Sequence, residues 1–126
     1  MSAPHPLNVL IVDDHEGMRT LLRAVLERAG AAVVRDASNG AAGLEAISAS
    51  VPHLILADQR MPGMDGVAFI AQVRADHSCR DVRIIMISGA ADASARKAAL
   101  SAGADTVLGK PVSPRDLLAA IEALYA

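Results

Sequence analysis

Three aspartates, a serine and a lysine are the residues of this chain best suited to do chemistry: Asp13, Asp14, Asp58, Ser88 and Lys110. Each follows a short apolar run. Asp13-Asp14 follow Asn8-Val9-Leu10-Ile11-Val12, Asp58 follows Leu54-Ile55-Leu56-Ala57, Ser88 follows Ile84 to Ile87, and Lys110 comes just after Val107-Leu108. Carboxylates gathered from such places repel, by roughly 4 kcal/mol for two charges about 4 Å apart at an effective dielectric near 20. A proton or a cation must relieve that. An all-oxygen set with room for water suits Mg²⁺. An aspartate beside a divalent cation and a lysine can act as a nucleophile toward phosphorus. The cation and the ammonium would neutralise the phosphoryl oxygens, and the Ser88 hydroxyl could donate to one of them. The plainer reading makes one or two of these aspartates helix caps, Asp14 for the helix after it. That leaves the crowding of like charge unexplained.

The elements that would position these residues can be read from the apolar pattern. The run Asn8 to Val12 is apolar almost throughout, as in a strand covered on both faces. Met18, Leu21, Leu22, Val25, Leu26 and Ala29 recur at helical spacing, and Gly30 provides a C-terminal cap. A second strand is expected near Ala32 to Arg35. A helix follows from about Gly40 to Ala49, stopped by Pro52. The third strand is expected over His53 to Ala57, followed by the turn-rich Met61-Pro62-Gly63-Met64-Asp65-Gly66. The next helix runs from about Gly66 to Ala75, with Val67, Ile70 and Val73 as its apolar face. The fourth strand is expected over Arg83 to Ile87, with a helix over about Asp92 to Ala102 capped by Gly103. The fifth is expected over Asp105 to Leu108. The last helix starts after Ser113-Pro114, an N-cap residue followed by proline at the first helical position. It turns Leu117, Leu118, Ile121 and Leu124 inward.

Five strands alternating with helices predict an α/β fold: a single doubly wound (βα)5 domain with a parallel five-stranded sheet. The flavodoxin-like order 2-1-3-4-5 suits the length, and ligands of such sheets bind beyond the carboxyl ends of the strands. That edge carries the five residues above.

Composition narrows the function. With 126 residues the chain can bury one full core, and with 52 % apolar residues it is not a disordered segment. A net charge of −2 and only two aromatic residues, Phe69 and Tyr125, argue against a nucleic-acid-binding surface. No secretory signal is visible before Leu7, and the apolar runs are too short to span a bilayer. Cys79 is alone and cannot form an internal disulfide. A cytoplasmic protein with no membrane partner is the expectation.

In the order Asp13-Asp14, then Asp58-Gln59-Arg60-Met61-Pro62-Gly63-Met64-Asp65-Gly66, then Ser88-Gly89, then Gly103-Ala104-Asp105 and Lys110-Pro111, the chain resembles the response-regulator receiver family. The chemotaxis regulator is that family's best-known single-domain member. The resemblance runs from about Asn8 to Leu124 and implies one receiver domain over residues 1–126. It implies that Asp58 accepts a phosphoryl group from a sensor histidine kinase or phosphotransfer protein. It further implies that Asp14 and Asp58 ligate Mg²⁺ with the backbone carbonyl of Arg60, and that Asp13 holds metal-bound water. Ser88 would be the switch hydroxyl, Lys110 would contact the phosphoryl group, and the Lys110–Pro111 bond would be cis, as is usual in the family. The output would be altered binding to a downstream protein, by a monomer or a weak phosphorylation-dependent dimer, without direct contact to nucleic acid. Such a chain assists its own phosphorylation and dephosphorylation and is otherwise not an enzyme.

The family usually has an aromatic residue at position 107; here it is Val107, stiff at χ1 and without a ring to swing. Val112 likewise stands where Phe is common. Both substitutions bear on the output face, not on the acidic site. Arg60 reads equally as a phosphoryl contact or a solvated side chain, while small Gly89 and Ala90 leave access open. Two other functions compete. An Asp-nucleophile phosphatase would place a general-acid aspartate two residues after the nucleophile. Arg60 holds that place after Asp58, and His15 holds it after Asp13. A degenerate receiver that only mediates contacts would bind no Mg²⁺. A flavin-binding role lacks the Ser/Thr/Gly-rich phosphate cradle after the first strand. His15 is read as a helix-start residue and not a ligand, since imidazole is not a typical Mg²⁺ ligand. Cys79 is read as an incidental exposed or half-buried thiol, and Met61 and Met64 as packing residues.

Overall fold

The computed structural model describes residues 7–31, 33–89 and 93–126. Its elements are β1 (Asn8–Val12), α1 (Glu16–Arg28), β2 (Val33–Ala37), α2 (Gly40–Ala49), β3 (Leu54–Asp58), α3 (Gly66–Ala75), a short 3-10 helix (His77–Cys79), β4 (Arg83–Ser88), α4 (Ala93–Ala102), β5 (Thr106–Gly109) and α5 (Pro114–Leu124). The strands form one parallel sheet in the order β2-β1-β3-β4-β5. This is the expected strand order.

The sheet has a core on each face. Side chains alternate along a strand, so Leu10, Val12, Ile55, Ala57, Ile84 and Met86 enter one cluster with Ile47 of α2, Phe69, Ile70 and Val73 of α3, and Ala99 of α4. Val9, Ile11, Leu54, Leu56, Ile85 and Ile87 enter the other, with Leu22 and Leu26 of α1 and Leu117 and Ile121 of α5. Covering both faces is why the strands read as continuous apolar runs instead of alternating ones.

Several expectations are corrected by packing. Leu21 is 52 % exposed. It lies about 100° around α1 from Leu22, beyond the edge of the buried stripe. Phe69, left out of the expected apolar face of α3, is fully buried and joins Ile70 and Val73 there, with Val67 half-buried against the same cluster. β2 continues through the polar Arg35 and Asp36 to Ala37. The side chain of Arg35 donates to the carbonyls of Ala46 (2.8 Å) and Ser50 (2.6 Å), and Asp36 pairs with Arg23 at 3.3 Å. Cys79 is fully buried in the first cluster, not exposed or half-buried in a loop. Burial pushes its thiol above the usual range. Ala32, Ala90 and Asp92, assigned above to a strand, an open loop and a helix start, lie outside the described residues.

The caps follow the sequence. Asn39, Asp65 and Ser113 accept the backbone N–H of Ala42, Ala68 and Asp116 at the starts of α2, α3 and α5. Gly30 and Gly103 take the positive φ that ends α1 and α4 (98° and 121°).

Candidate functional site

Strand register brings the polar residues together. Val12 lies opposite both Ala37 and Ala57, Asp58 opposite Ile87, and Ser88 opposite Gly109. Asp13, Asp58, Ser88 and Lys110 therefore emerge at one carboxyl edge of the sheet. Backbone bonds continue the ladders past the strand ends: Asp13 N–H to Ala37, Gln59 N–H to Ile87 and Lys110 N–H to Ser88 (3.1, 2.9 and 2.9 Å). The turn after β3 is fastened by the Gly66 N–H donating to the Gln59 carbonyl at 2.8 Å. A Cβ on Gly66 would meet the Asp58 carbonyl oxygen at 2.4 Å, so only glycine fits there.

The site is buried and acidic. Asp13, Asp58 and Ser88 are 1 %, 3 % and 0 % exposed. Lys110 Nζ sits 2.8 Å from Asp58 Oδ1. The other oxygens, Asp13 Oδ2 and Asp58 Oδ2, are buried with no hydrogen-bond partner among the described residues. Burial pushes the Asp58 carboxyl above the usual carboxylate range. The charges of Asp13 and Asp14 add to this, and Lys110 opposes it. Asp13, Asp14, His15 and Asp58 each offer a ligand atom, all within 4.8 Å of one another.

The capping alternative for the acidic pair finds no support. The N-cap of α1 is His15, with no side-chain cap bond, and Asp13 Oδ1 accepts the His15 N–H at 2.8 Å within the loop. The exposed imidazole of His15 reaches back to Asp13 and Asp14, its Nδ1 3.3 and 3.2 Å from their oxygens. Arg60 is exposed. The Lys110–Pro111 bond is cis, as expected from the family resemblance. Val107 is buried in the cluster with Met86 and Ala104.

Two residues given no role in the sequence reading complete the site. Arg19 Nη1 donates to the Asp13 carbonyl at 2.7 Å, tying α1 to the acidic loop. Its position on α1 one turn past the Asp13-Asp14 pair is the signal that could have found it. Gln59 Oε1 accepts the Ser88 hydroxyl. Only the β3–β4 register reveals that contact.

The model of the response regulator receiver domain matches residues 9–122. The chain belongs to this family. It is 33 % identical to a probable chemotaxis protein CheY of Rhizobium etli, over 99 % of this chain and 97 % of that one. It is 42 % identical to the cyclic di-GMP phosphodiesterase response regulator RpfG of Xanthomonas campestris, over 90 % of this chain, but spans only 30 % of that protein's length. Among solved structures it matches the CheX–CheY–BeF3–Mg²⁺ complex from Borrelia burgdorferi, with a TM-score of 0.89 and 25 % identity, covering 96 % of this chain and 90 % of that one. The chain is thus a CheY-like receiver domain of two-component signalling. No helix among the described residues is long and apolar enough to cross a membrane.

Proposed function

We propose that this receiver is a phosphorylation-dependent switch that accepts a phosphoryl group on Asp58 and thereby changes its binding to a downstream protein. One observation carries the reading. Asp58 is a buried carboxylate with one oxygen on Lys110 and the other without a partner among the described residues, beside Asp13. A carboxylate left in that state in a folded core calls for a proton or a cation, and with a cation and a lysine beside it the carboxylate can attack phosphorus.

The all-oxygen donor set with orphaned buried oxygens fits Mg²⁺. Asp14 and Asp58 would hold it directly with the Arg60 carbonyl, and Asp13 would hold its water. When bound, it supplies charge neutralisation to phosphoryl oxygens. The donor is a phosphohistidine on a sensor histidine kinase or phosphotransfer protein. The P–N bond breaks as a P–O bond to an Asp58 oxygen forms. The electron pair returns to the donor imidazole, which takes up a proton, and Asp58 becomes an acyl phosphate. Lys110 follows the phosphoryl charge from Asp58, and the Ser88 hydroxyl donates to a phosphoryl oxygen. The chain's part is positioning and charge; the activated group comes from the partner. The BeF3 and Mg²⁺ in the Borrelia CheY complex support the same chemistry here.

Beryllofluoride with Mg²⁺ is the direct test. Amide resonances around Asp58, Ser88 and Lys110 should shift, and Asp58→Asn should abolish the shifts. An unchanged spectrum of the native protein rejects the reading.

A further inference from the structure

The Ser88 hydroxyl already donates to a partner that nothing in the phosphoryl chemistry supplies, the side-chain oxygen of Gln59. We propose that Gln59 is a positioning residue that holds this hydroxyl in the resting state and competes with the phosphoryl group for it. The inference rests on the phosphorylation reading above.

Gln59 is well placed for this. Its N–H donates to the Ile87 carbonyl at 2.9 Å, and its carbonyl accepts the Gly66 N–H at 2.8 Å. Both ends of its backbone are therefore fixed, one to β4 and one to the start of α3. Asp58 lies opposite Ile87, so Gln59, the next residue along, is the neighbour of Ser88. Its side chain reaches the hydroxyl across that step. The backbone that positions the amide also carries Asp58.

The competition follows from donor count. A serine hydroxyl has one O–H to give. It can satisfy the Gln59 oxygen or a phosphoryl oxygen, not both. A charged acceptor forms roughly twice as strong a bond as a neutral one, so the phosphoryl group wins when present. It must first displace the amide, and the Gln59 carboxamide loses its donor and becomes free to turn outward. In a receiver whose position 107 is a stiff, buried valine, this release offers a route by which the movement of Ser88 reaches the surface.

The test is a double-mutant cycle read by beryllofluoride binding in excess Mg²⁺, followed by amide NMR. Gln59→Leu removes the competing acceptor and should tighten the apparent affinity about fivefold, the worth of one neutral hydrogen bond. In a Ser88→Ala background the same substitution should change affinity less than about twofold, because there is no hydroxyl to release. Gln59→Ala serves the same purpose if the leucine variant does not fold. The side-chain NH2 resonances of Gln59 in the native protein should also move on beryllofluoride addition. An equal gain in both backgrounds, or no gain with Ser88 present, overturns the role of Gln59 while leaving phosphorylation at Asp58 intact. Absence of any beryllofluoride response at Asp58 in the native protein overturns both.

Discussion

Asp58→Asn keeps the shape of the side chain and removes its charge, which makes it a measure of how strained the acidic site is without metal. The ligand atoms of Asp13, Asp14 and Asp58 lie no more than 4.8 Å apart. At an effective dielectric near 20, each pair involving Asp58 then repels by at least about 3 kcal/mol. Lys110, 2.8 Å from Asp58, returns about 6 kcal/mol on the same scale. Attraction and repulsion nearly cancel, so the desolvation of a carboxylate 3 % exposed decides the sign. The variant should therefore be more stable than the native protein in EDTA at pH 8. The expected gain is about 1–2 kcal/mol, or roughly 4–8 °C for a domain of this size.

Metal should act in the opposite direction and shrink the advantage of the variant. A cation at a hundred times its dissociation constant stabilises the native protein by about 2.7 kcal/mol, close to 10 °C here. The variant, lacking a charged ligand, should show less than half that rise. The pH dependence has a definite sign. The fold raises the Asp58 pKa above its ordinary 3.8, so it favours the protonated form. The metal-free native protein loses stability as pH rises from that ordinary value through the raised one. The advantage of Asp58→Asn is then full at pH 8 and shrinks as the pH falls into that window. Thermal unfolding in EDTA and in MgCl2 across that pH range measures all three effects. A variant that is less stable in EDTA at pH 8 and keeps the full magnesium rise refutes the picture of a charge-strained site.

Other expectations are simpler to check. Gly66→Ala would put a methyl 2.4 Å from the Asp58 carbonyl oxygen and 2.9 Å from the Gln59 Cα. It should cost about 3 kcal/mol in urea unfolding and weaken Mg²⁺ binding, because the backbone that yields carries Asp58. Cys79 should not react with a disulfide reagent such as DTNB in the native state and should do so fully in denaturant, since it is 0 % exposed. On α1, Leu22→Ala should cost about 2–5 kcal/mol. Leu21→Gln, 52 % exposed in the native chain, should stay within about 0.5 kcal/mol.

The strands and their order were legible because both sheet faces are covered, so β1, β3 and β4 appear as apolar runs that no amphipathic helix would show. The acidic site was legible for the same reason, since polar residues at the ends of such runs fall on one edge. Where polar side chains sit inside an element, the pattern fails. β2 was cut short after Arg35 because Asp36 looks like a loop residue until its partner on α1 is known. Leu21 and Phe69 were misassigned because a helix's apolar residues do not reveal which of them the sheet will meet. Cys79 sits among polar neighbours in the sequence, yet the 3-10 turn folds its side chain under α3. The link from Gln59 to Ser88 joins residues 29 positions apart, and no local signal announces it.

The distribution of satisfied and unsatisfied polar groups separates structure from function in this domain. At the opposite end of the sheet, the side chain of Arg74 donates to the carbonyls of Gly103 and Cys79 and to Asp105. Asp105 also takes the Ile84 N–H at 2.7 Å. Those charges fasten α3 to the β4 and β5 strands and leave little for a ligand to improve. At the carboxyl edge the chain does the reverse: one oxygen each of Asp13 and Asp58 is buried with no donor among the described residues, although Arg19, one turn along α1, is spent on a backbone carbonyl. A fold able to satisfy Asp105 so completely is not short of donors. Leaving the strand-tip carboxylates open costs stability, and the cost falls where a cation and a phosphoryl group could offset it. On the proposed function, the free energy released on offsetting it would then be available to draw Ser88 from Gln59 and bias the surface a partner reads.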